Sequence, residues 1–586
     1  MNDRWDLEPI YKGFEDPAFE EDLKKLGNLV EEMKTLSQGL EAAEPVEALV
    51  EGIRIQEELT DLVGRLTAYP SLRQAANTGD DEAASAMGRI RGIYSDAAGP
   101  RAAFQDWAGK LPNLQELVSS HEFLRPYGYY FEKLAQSGQY LLSDSGEEIM
   151  ARMSMSGGSA WNTMRGFVTS TAKVTFRGEE TNLSDIRNYA KDPDPAVRKA
   201  AYEAELASYA AVEAPVAHAL NAIKLETISE CKLRGYASPL EASLHRAHMS
   251  RQTLDAMFAA IEEFLPKFRQ YLRTKAKLLG HEGGLPWYDL FAPLGKGETK
   301  TYSLEESRDY LVNLFRGFDP ELAQLMQTAF DNRWIDAYPR SGKRDGAFCS
   351  SVRSMGRSWI LANFDGSFKG LGTFAHELGH AWHNRCISDH RPLNKSYSMP
   401  VAETASTFNE CVFYSAALDA ASTREEKLDL MDTRLVGETQ IIVDISSRFR
   451  FEDQVFKLRP RQFLSARKLC ELMAQAQKEC YGDGLDPQLL HPYMWVCKPH
   501  YYSSTYYNYP YAFGGLFARG LHAMYLKEGE AFLPKYRKLL YTTTVATVED
   551  TAKVAGIDLT DIGFWRSALQ AIADDIDTFC ALAEEM

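Results

Sequence analysis

The 586-residue sequence contains no run of about 18 apolar residues, so no segment is predicted to span a bilayer. Its N-terminus, Met1-Asn2-Asp3-Arg4-Trp5-Asp6, is polar and acidic and lacks the basic start and apolar stretch of a secretory signal, which makes a cytoplasmic protein the expectation. Cysteine is sparse: eight residues, at 231, 349, 386, 411, 470, 480, 497 and 580, with no CxxC pair. A chain this long needs no disulfide framework, so reduced thiols are predicted. Basic charge is also short, with 65 Lys and Arg against 82 Asp and Glu and a net charge of -17. Such a surface repels phosphate backbones and anionic lipid, so neither nucleic acid nor membrane is an expected partner.

Other chemistries are missing too. No GxSxG elbow is present for a serine hydrolase. The glycine pairs Gly157-Gly158 and Gly514-Gly515 lack the lysine of a phosphate-binding loop and read as turns or close packing. The composition, 45% hydrophobic and 25% charged, is that of a folded globular chain too long for one core.

What is present is mainly helical patterning. Phe19, Leu23, Leu26, Leu29 and Val30 fall close to a 3.6-residue spacing and predict a helix over 17–40. Further helices are predicted over 46–70, 82–108, 195–232, 252–280, 303–317, 424–458, 461–482 and 545–585. Two strands are predicted, Val168 to Phe176 and Trp359 to Phe364, as pieces of a small sheet. Asp192-Pro193-Asp194-Pro195 breaks the pattern and sets the expected lobe boundary, giving an N-terminal helical lobe over 1–194 and a catalytic domain over 195–586.

Within 373–383 lies His376-Glu377-Leu378-Gly379-His380, an HExxH pattern. On a helix, residues four apart share a face, so both imidazoles reach one metal ion while Glu377 stands beside it as a proton acceptor. A catalytic zinc takes three protein ligands and keeps one position open. The extended motif HExxHxxGxxH fails here, because His383 and Cys386 stand where Gly and His are required. A glutamate on a following helix supplies the alternative: Glu403 lies 403 − 380 = 23 residues after the second histidine, enough to turn and return antiparallel. Glu410, seven residues further on the same face, is placed to accept a hydrogen bond from a ligand imidazole. His383 reads as a structural or supporting residue, since as a ligand it would fill the open position. One zinc ion per chain, held by His376, His380 and Glu403, is the expected cofactor.

Carried by these motifs, the chain resembles the oligoendopeptidase F family, relatives of thimet oligopeptidase among the gluzincins. The resemblance rests on Arg4-Trp5-Asp6-Leu7 with Tyr11, on Gly346-Ala347-Phe348, and on Asn363-Phe364-Asp365-Gly366 leading into the HExxH segment. Ala402 through Glu410 and the tyrosine-rich stretch His500 through Tyr511 complete it. It implies a mainly α, two-lobed helical metallopeptidase with a small β-sheet beside the HExxH helix and a deep substrate cleft. It also implies short unfolded peptides as substrates, and His500 with Tyr507 or Tyr509 as groups that stabilise the oxyanion. Family members commonly carry Gln where this chain has Pro510.

The resulting expectation is a zinc endopeptidase in which a metal-activated water attacks an internal peptide bond and Glu377 is the general base. Two rivals stand beside it. One is an HExxH-type carboxypeptidase, which needs a cation to grip the substrate carboxylate. The other is a catalytically silent peptide-binding protein. The segment from Trp359 to Phe364 is expected to offer an edge that pairs with extended peptide, with Gly346-Ala347 doing likewise opposite it.

Overall fold

A computed structural model describes residues 2–295 and 300–585. The fold is mainly helical, with two small sheets among the described residues. No described helix is long and apolar enough to cross a membrane. All eight cysteines are unpaired.

Helix ends follow the capping residues in the sequence. Asp16 caps the helix Pro17–Gly39 through the Ala18 amide, with proline at its start. Ser303 and Glu306 cap the helix Leu304–Phe318 reciprocally. Several predicted helices divide. The stretch 82–108 forms Asp81–Ser95 and Ala98–Gly109, and 195–232 forms Pro195–Tyr209 and Glu213–Arg234. The stretch 424–458 stays helical throughout but widens to a π-turn over Gln440–Asp444. Such a turn re-aims the side chains it carries, and Gln440 and Ile441 line the central cavity.

Strands β1 (Lys173–Phe176) and β2 (Glu179–Asn182) form a hairpin. The strand expected from Val168 is therefore shorter. Val168 belongs to the last turn of the helix Gly158–Ser170, where neighbouring helices override its β-branched preference.

The other sheet holds β3 (Ile335–Asp336), β4 (Phe348–Val352) and β5 (Arg357–Leu361) in the order β3-β5-β4. Ile335 pairs with Ile360 in parallel, and Phe348 pairs with Leu361 antiparallel. β5 is thus the central strand, which corrects the expectation of a free edge at Trp359; the outer strand on the Gly346-Ala347 side is β4.

β5 also joins the two main cores. Trp359 and Leu361 point into a core built from Trp5 to Phe131. Ile360 and Ala362 point into a larger core running from Ala172 to Cys580. The two-residue alternation of a strand produces that division, and burial on both faces explains why this strand is an apolar run in the sequence. The N-terminal segment is fixed on the same sheet. The Trp359 indole N–H donates to the Asp6 carbonyl at 2.8 Å, and the Ala337 amide donates to the Asp3 carbonyl at 2.9 Å.

A cavity of about 920 Å³ opens within the part of the chain that builds the larger core. Its wall combines residues from 186–205, 287–295, 369–376, 403–441 and 511–515.

Candidate metal centre

The helix Phe368–Cys386 carries His376, Glu377 and His380. Ser367 caps it by accepting from the Gly370 amide at 3.0 Å. Leu371, Phe374, Leu378 and Trp382 bury its apolar side, so the histidine face turns the other way. Glu403 immediately precedes the helix Thr404–Ala420.

The two helices run antiparallel, as their cross-contacts show. The Asn409 amide donates to the Ala375 carbonyl at 3.1 Å, and the His376 ring meets Glu410. Further along, Gly379 faces Ser406 and His380 faces Glu403. Gly379 allows this approach, and Gly514 allows the helix Tyr509–Glu528 to come up against Glu403. A Cβ on Gly379 would stand 2.6 Å from Ser406 Cα, and one on Gly514 would stand 3.2 Å from Glu403 Cβ.

The outcome is a compact donor set. Glu403 Oε2 lies 3.4 Å from His376 Nε2 and 3.3 Å from His380 Nε2. Three ligand atoms around a tetrahedral ion, with bonds of about 2.0–2.2 Å, stand about 3.4 Å apart. These residues therefore fit zinc in number, chemistry and spacing. The remaining imidazole nitrogen of His376, Nδ1, sits 3.0 Å from Glu410 Oε1, and the Ser406 hydroxyl donates to Glu403 Oε2 at 2.7 Å. Burial opposes charge on His376, but the Glu403 and Glu410 carboxylates outweigh it and push its pKa up. Burial also opposes charge on Glu403, yet the two imidazoles hold it well below the usual carboxylate range. The trio is built to hold positive charge.

Glu377 differs from its neighbours. It is buried, its pKa is pushed up chiefly by that burial, and its Oε2 has no hydrogen-bond partner. A carboxylate oxygen with no partner, buried beside two histidines, is free to accept a proton.

The tyrosine-rich segment sorts its members. The His500 ring lies 5.1 Å from Tyr507 and 5.9 Å from Tyr511, and Tyr507 and Tyr511 stand 5.6 Å apart. Tyr511 lines the cavity together with His376 and Glu403. The Tyr507 hydroxyl faces Met399 Sδ at 3.6 Å. Tyr509 is not brought to this group: it is fully buried, and its hydroxyl lies 3.3 Å from Ser243 Oγ. Burial, then the Arg448 and Lys498 charges, push the His500 pKa down, which disfavours the charged ring. Buried Glu452 anchors the loop between His500 and Tyr511. It accepts from the Lys224 ammonium at 2.6 Å, the Tyr506 amide at 3.1 Å and the Asn508 side chain at 2.8 Å. The sequence-based choice of tyrosines did not include Tyr511, and spacing offered no signal for it, since Tyr507 lies in the turn before the helix Tyr509–Glu528 that carries Tyr511.

His383 lies flat on Tyr397, ring centres 4.2 Å apart, with its Nε2 2.9 Å from the Thr543 hydroxyl. It is a packing residue. Another group, Glu205, His491 and Cys497, also gathers ligand atoms within 4.8 Å. Here Glu205 Oε1 is already surrounded by the Tyr209 hydroxyl at 2.7 Å, His491 Nε2 at 3.2 Å and Arg187 Nε at 3.2 Å. A guanidinium in that position repels a metal ion, so the group reads as a brace for the segment leading to His500.

The sequence pattern of Peptidase family M3 matches residues 188–568, and that of Oligopeptidase F matches 112–176. The chain belongs to peptidase family M3. This is a family of metallopeptidases. Among curated relatives, Oligopeptidase PepF of Bacillus subtilis is 26% identical, with 98% of this chain and 86% of the relative covered. Group B oligopeptidase PepB of Streptococcus agalactiae is 22% identical, with 97% and 95% covered. The fold matches the crystal structure of oligoendopeptidase-F from Enterococcus faecium with a TM-score of 0.73 at 18% identity, covering 97% of this chain and 99% of that one. A solved chain from Chlamydophila abortus matches with a TM-score of 0.85 at 21% identity, covering 99% and 98%. The family M3 match spans the HExxH helix, Glu403 and the tyrosine segment in one block.

Proposed function

We propose that this family M3 chain is a zinc-dependent oligoendopeptidase that hydrolyses internal bonds of short, unfolded peptides. His376, His380 and Glu403 would hold one zinc ion, and Glu410 would orient His376 through Nδ1. Zinc there supplies Lewis acidity, acidifying water and polarising the scissile carbonyl. Glu377 takes the proton of the attacking water and delivers it to the leaving amine; its burial and its unpartnered oxygen support that role. His500 with Tyr507 and Tyr511 supplies N–H and O–H donors for the carbonyl oxygen as negative charge develops on it. The observation that carries this reading is the spacing of 3.3 and 3.4 Å between Glu403 and the two imidazoles, beside a carboxylate with no partner. Opening of the site into a cavity of about 920 Å³, rather than onto a flat surface, supports extended peptides over folded proteins as substrates.

The test combines metal analysis with cleavage of a short fluorogenic peptide blocked at both ends. One zinc per chain, and cleavage that a chelator abolishes and zinc restores, is the expected result. Absence of both metal and cleavage after zinc is supplied would overturn the proposal.

A further inference from the structure

The helix Gly158–Ser170 brings one buried arginine, Arg165, to the tyrosine-rich segment. The helix is pinned at its first residue, where the Gly158 amide donates to the Glu226 carboxylate of the helix Glu213–Arg234. A carboxylate is favourable there because it faces the positive end of the helix dipole. Glycine permits the approach, since a Cβ on Gly157 would stand 2.7 Å from Glu226 Oε2. Arg165 follows seven residues after Gly158, on the same face.

Among the described residues, Arg165 has no carboxylate within ion-pairing distance. Its Nη2 donates instead to the Val496 carbonyl and, at 2.9 Å, to the Cys497 carbonyl. The guanidinium sits 5.0 Å from the centre of the Tyr502 ring, and its Nε has no partner. Burying a charge on these terms is costly, and an apolar side chain of like size would hold the core at least as well. The arginine is accounted for by what it holds rather than by stability.

What it holds is the approach to His500. The short helix Met494–Cys497 leaves four carbonyls to satisfy. The Met494 carbonyl accepts from the Lys498 amide at 3.2 Å, and the Trp495 carbonyl accepts from the Tyr502 hydroxyl at 2.9 Å. Arg165 takes the remaining two. Only Lys498 and Pro499 separate Cys497 from His500, and proline restricts its own φ and the residue before it. A displacement at Cys497 is thus passed on to the His500 ring, which stands 5.1 Å from Tyr507 and 5.9 Å from Tyr511.

We infer that Arg165 is a positioning residue for His500, fixing the imidazole where it donates to the carbonyl oxygen of the scissile bond. This rests on the peptidase reading above. Arg165 lies in the stretch 112–176 that matches the Oligopeptidase F pattern, outside the family M3 match. A part of the chain remote in sequence from the HExxH helix thereby contributes to stabilising the oxyanion.

Arg165→Met keeps the stem and removes the donors; melting checks that it folds, and Arg165→Lys takes its place if it does not. With a fluorogenic peptide blocked at both ends, kcat should fall about 10–100-fold while KM stays within about threefold. Zinc content should be unchanged. A merely structural role would not depend on His500. In a His500→Gln background, the same substitution should therefore lower kcat by no more than about threefold. The ring is read without turnover by NMR of zinc-loaded protein carrying ring-labelled histidine, the His500 signal being assigned from His500→Gln. That signal should move in Arg165→Met while those of His376 and His380 stay. An equal loss of kcat with and without His500, or an unmoved His500 signal, would overturn the inference while wild-type cleavage leaves the peptidase reading standing. A wild type that cleaves no peptide, with a His500 signal that still answers to Arg165, would overturn the peptidase reading and leave the positioning intact.

Discussion

Gly379 of the HExxH helix lies against the backbone of Ser406, close enough that a Cβ would stand 2.6 Å from Ser406 Cα. Ser406 in turn donates its hydroxyl to Glu403 at 2.7 Å. The position of Glu403, the proposed third ligand, is therefore set by the absence of a side chain on the helix that carries His376 and His380. Gly379→Ala should push the two helices apart, lower stability by about 1–3 kcal/mol and weaken metal binding. Melting and metal titration check it; a variant with wild-type metal affinity would show that Glu403 is placed by other contacts.

Glu410 makes a separable contribution. Its side chain is partly exposed and reaches His376 Nδ1 at 3.0 Å, so Glu410→Ala should leave the fold intact and lower metal affinity by roughly 10–100-fold. Competition with a chelator of known affinity measures the change.

Tyrosines two residues apart should behave oppositely. Tyr511→Phe removes a donor from the cavity wall and should lower kcat about a hundred-fold. Tyr509→Phe removes a buried contact with Ser243 and should cost about 1 kcal/mol of stability while leaving kcat near wild type. Parallel kinetics and melts of the two variants decide between the tyrosines.

Two buried histidines predict an acid limb in stability. Burial pushes the His383 pKa down to about 3 and the His522 pKa down to about 4, from an ordinary 6.5. Between those values and 6.5 the unfolded chain takes up protons that the folded chain refuses. Stability from these two groups is therefore present above about pH 6.5 and is lost as pH falls toward 4. Tm should drop between about pH 7 and about pH 5, with a shallower slope in His522→Phe.

The clustering of His376, His380 and Glu403 was legible in the sequence because its information is local. His376 and His380 are one helical turn apart, and Glu403 and Glu410 repeat on the face of the next helix. The mainly helical fold was legible for the same reason, through the period of residues such as Phe19, Leu23 and Leu26. What was not legible depends on contacts between distant segments. Tyr507, Tyr509 and Tyr511 look alike in sequence, and their sorting follows from where the loop held by Glu452 ends and the helix Tyr509–Glu528 begins. Pro510 fits at that helix start, where no amide hydrogen is needed. Trp359 to Phe364 read as a strand, but only the pairing of Arg357–Leu361 with both β3 and β4 shows it to be central.

The central claim is that Glu377 moves the proton while His376, His380 and Glu403 hold the metal. The most direct measurement is metal content and turnover of Glu377→Gln beside wild type. The account predicts one zinc per chain in both proteins and a loss of turnover of roughly a thousand-fold or more in the variant. Turnover within a few-fold of wild type, with the metal retained, would contradict it.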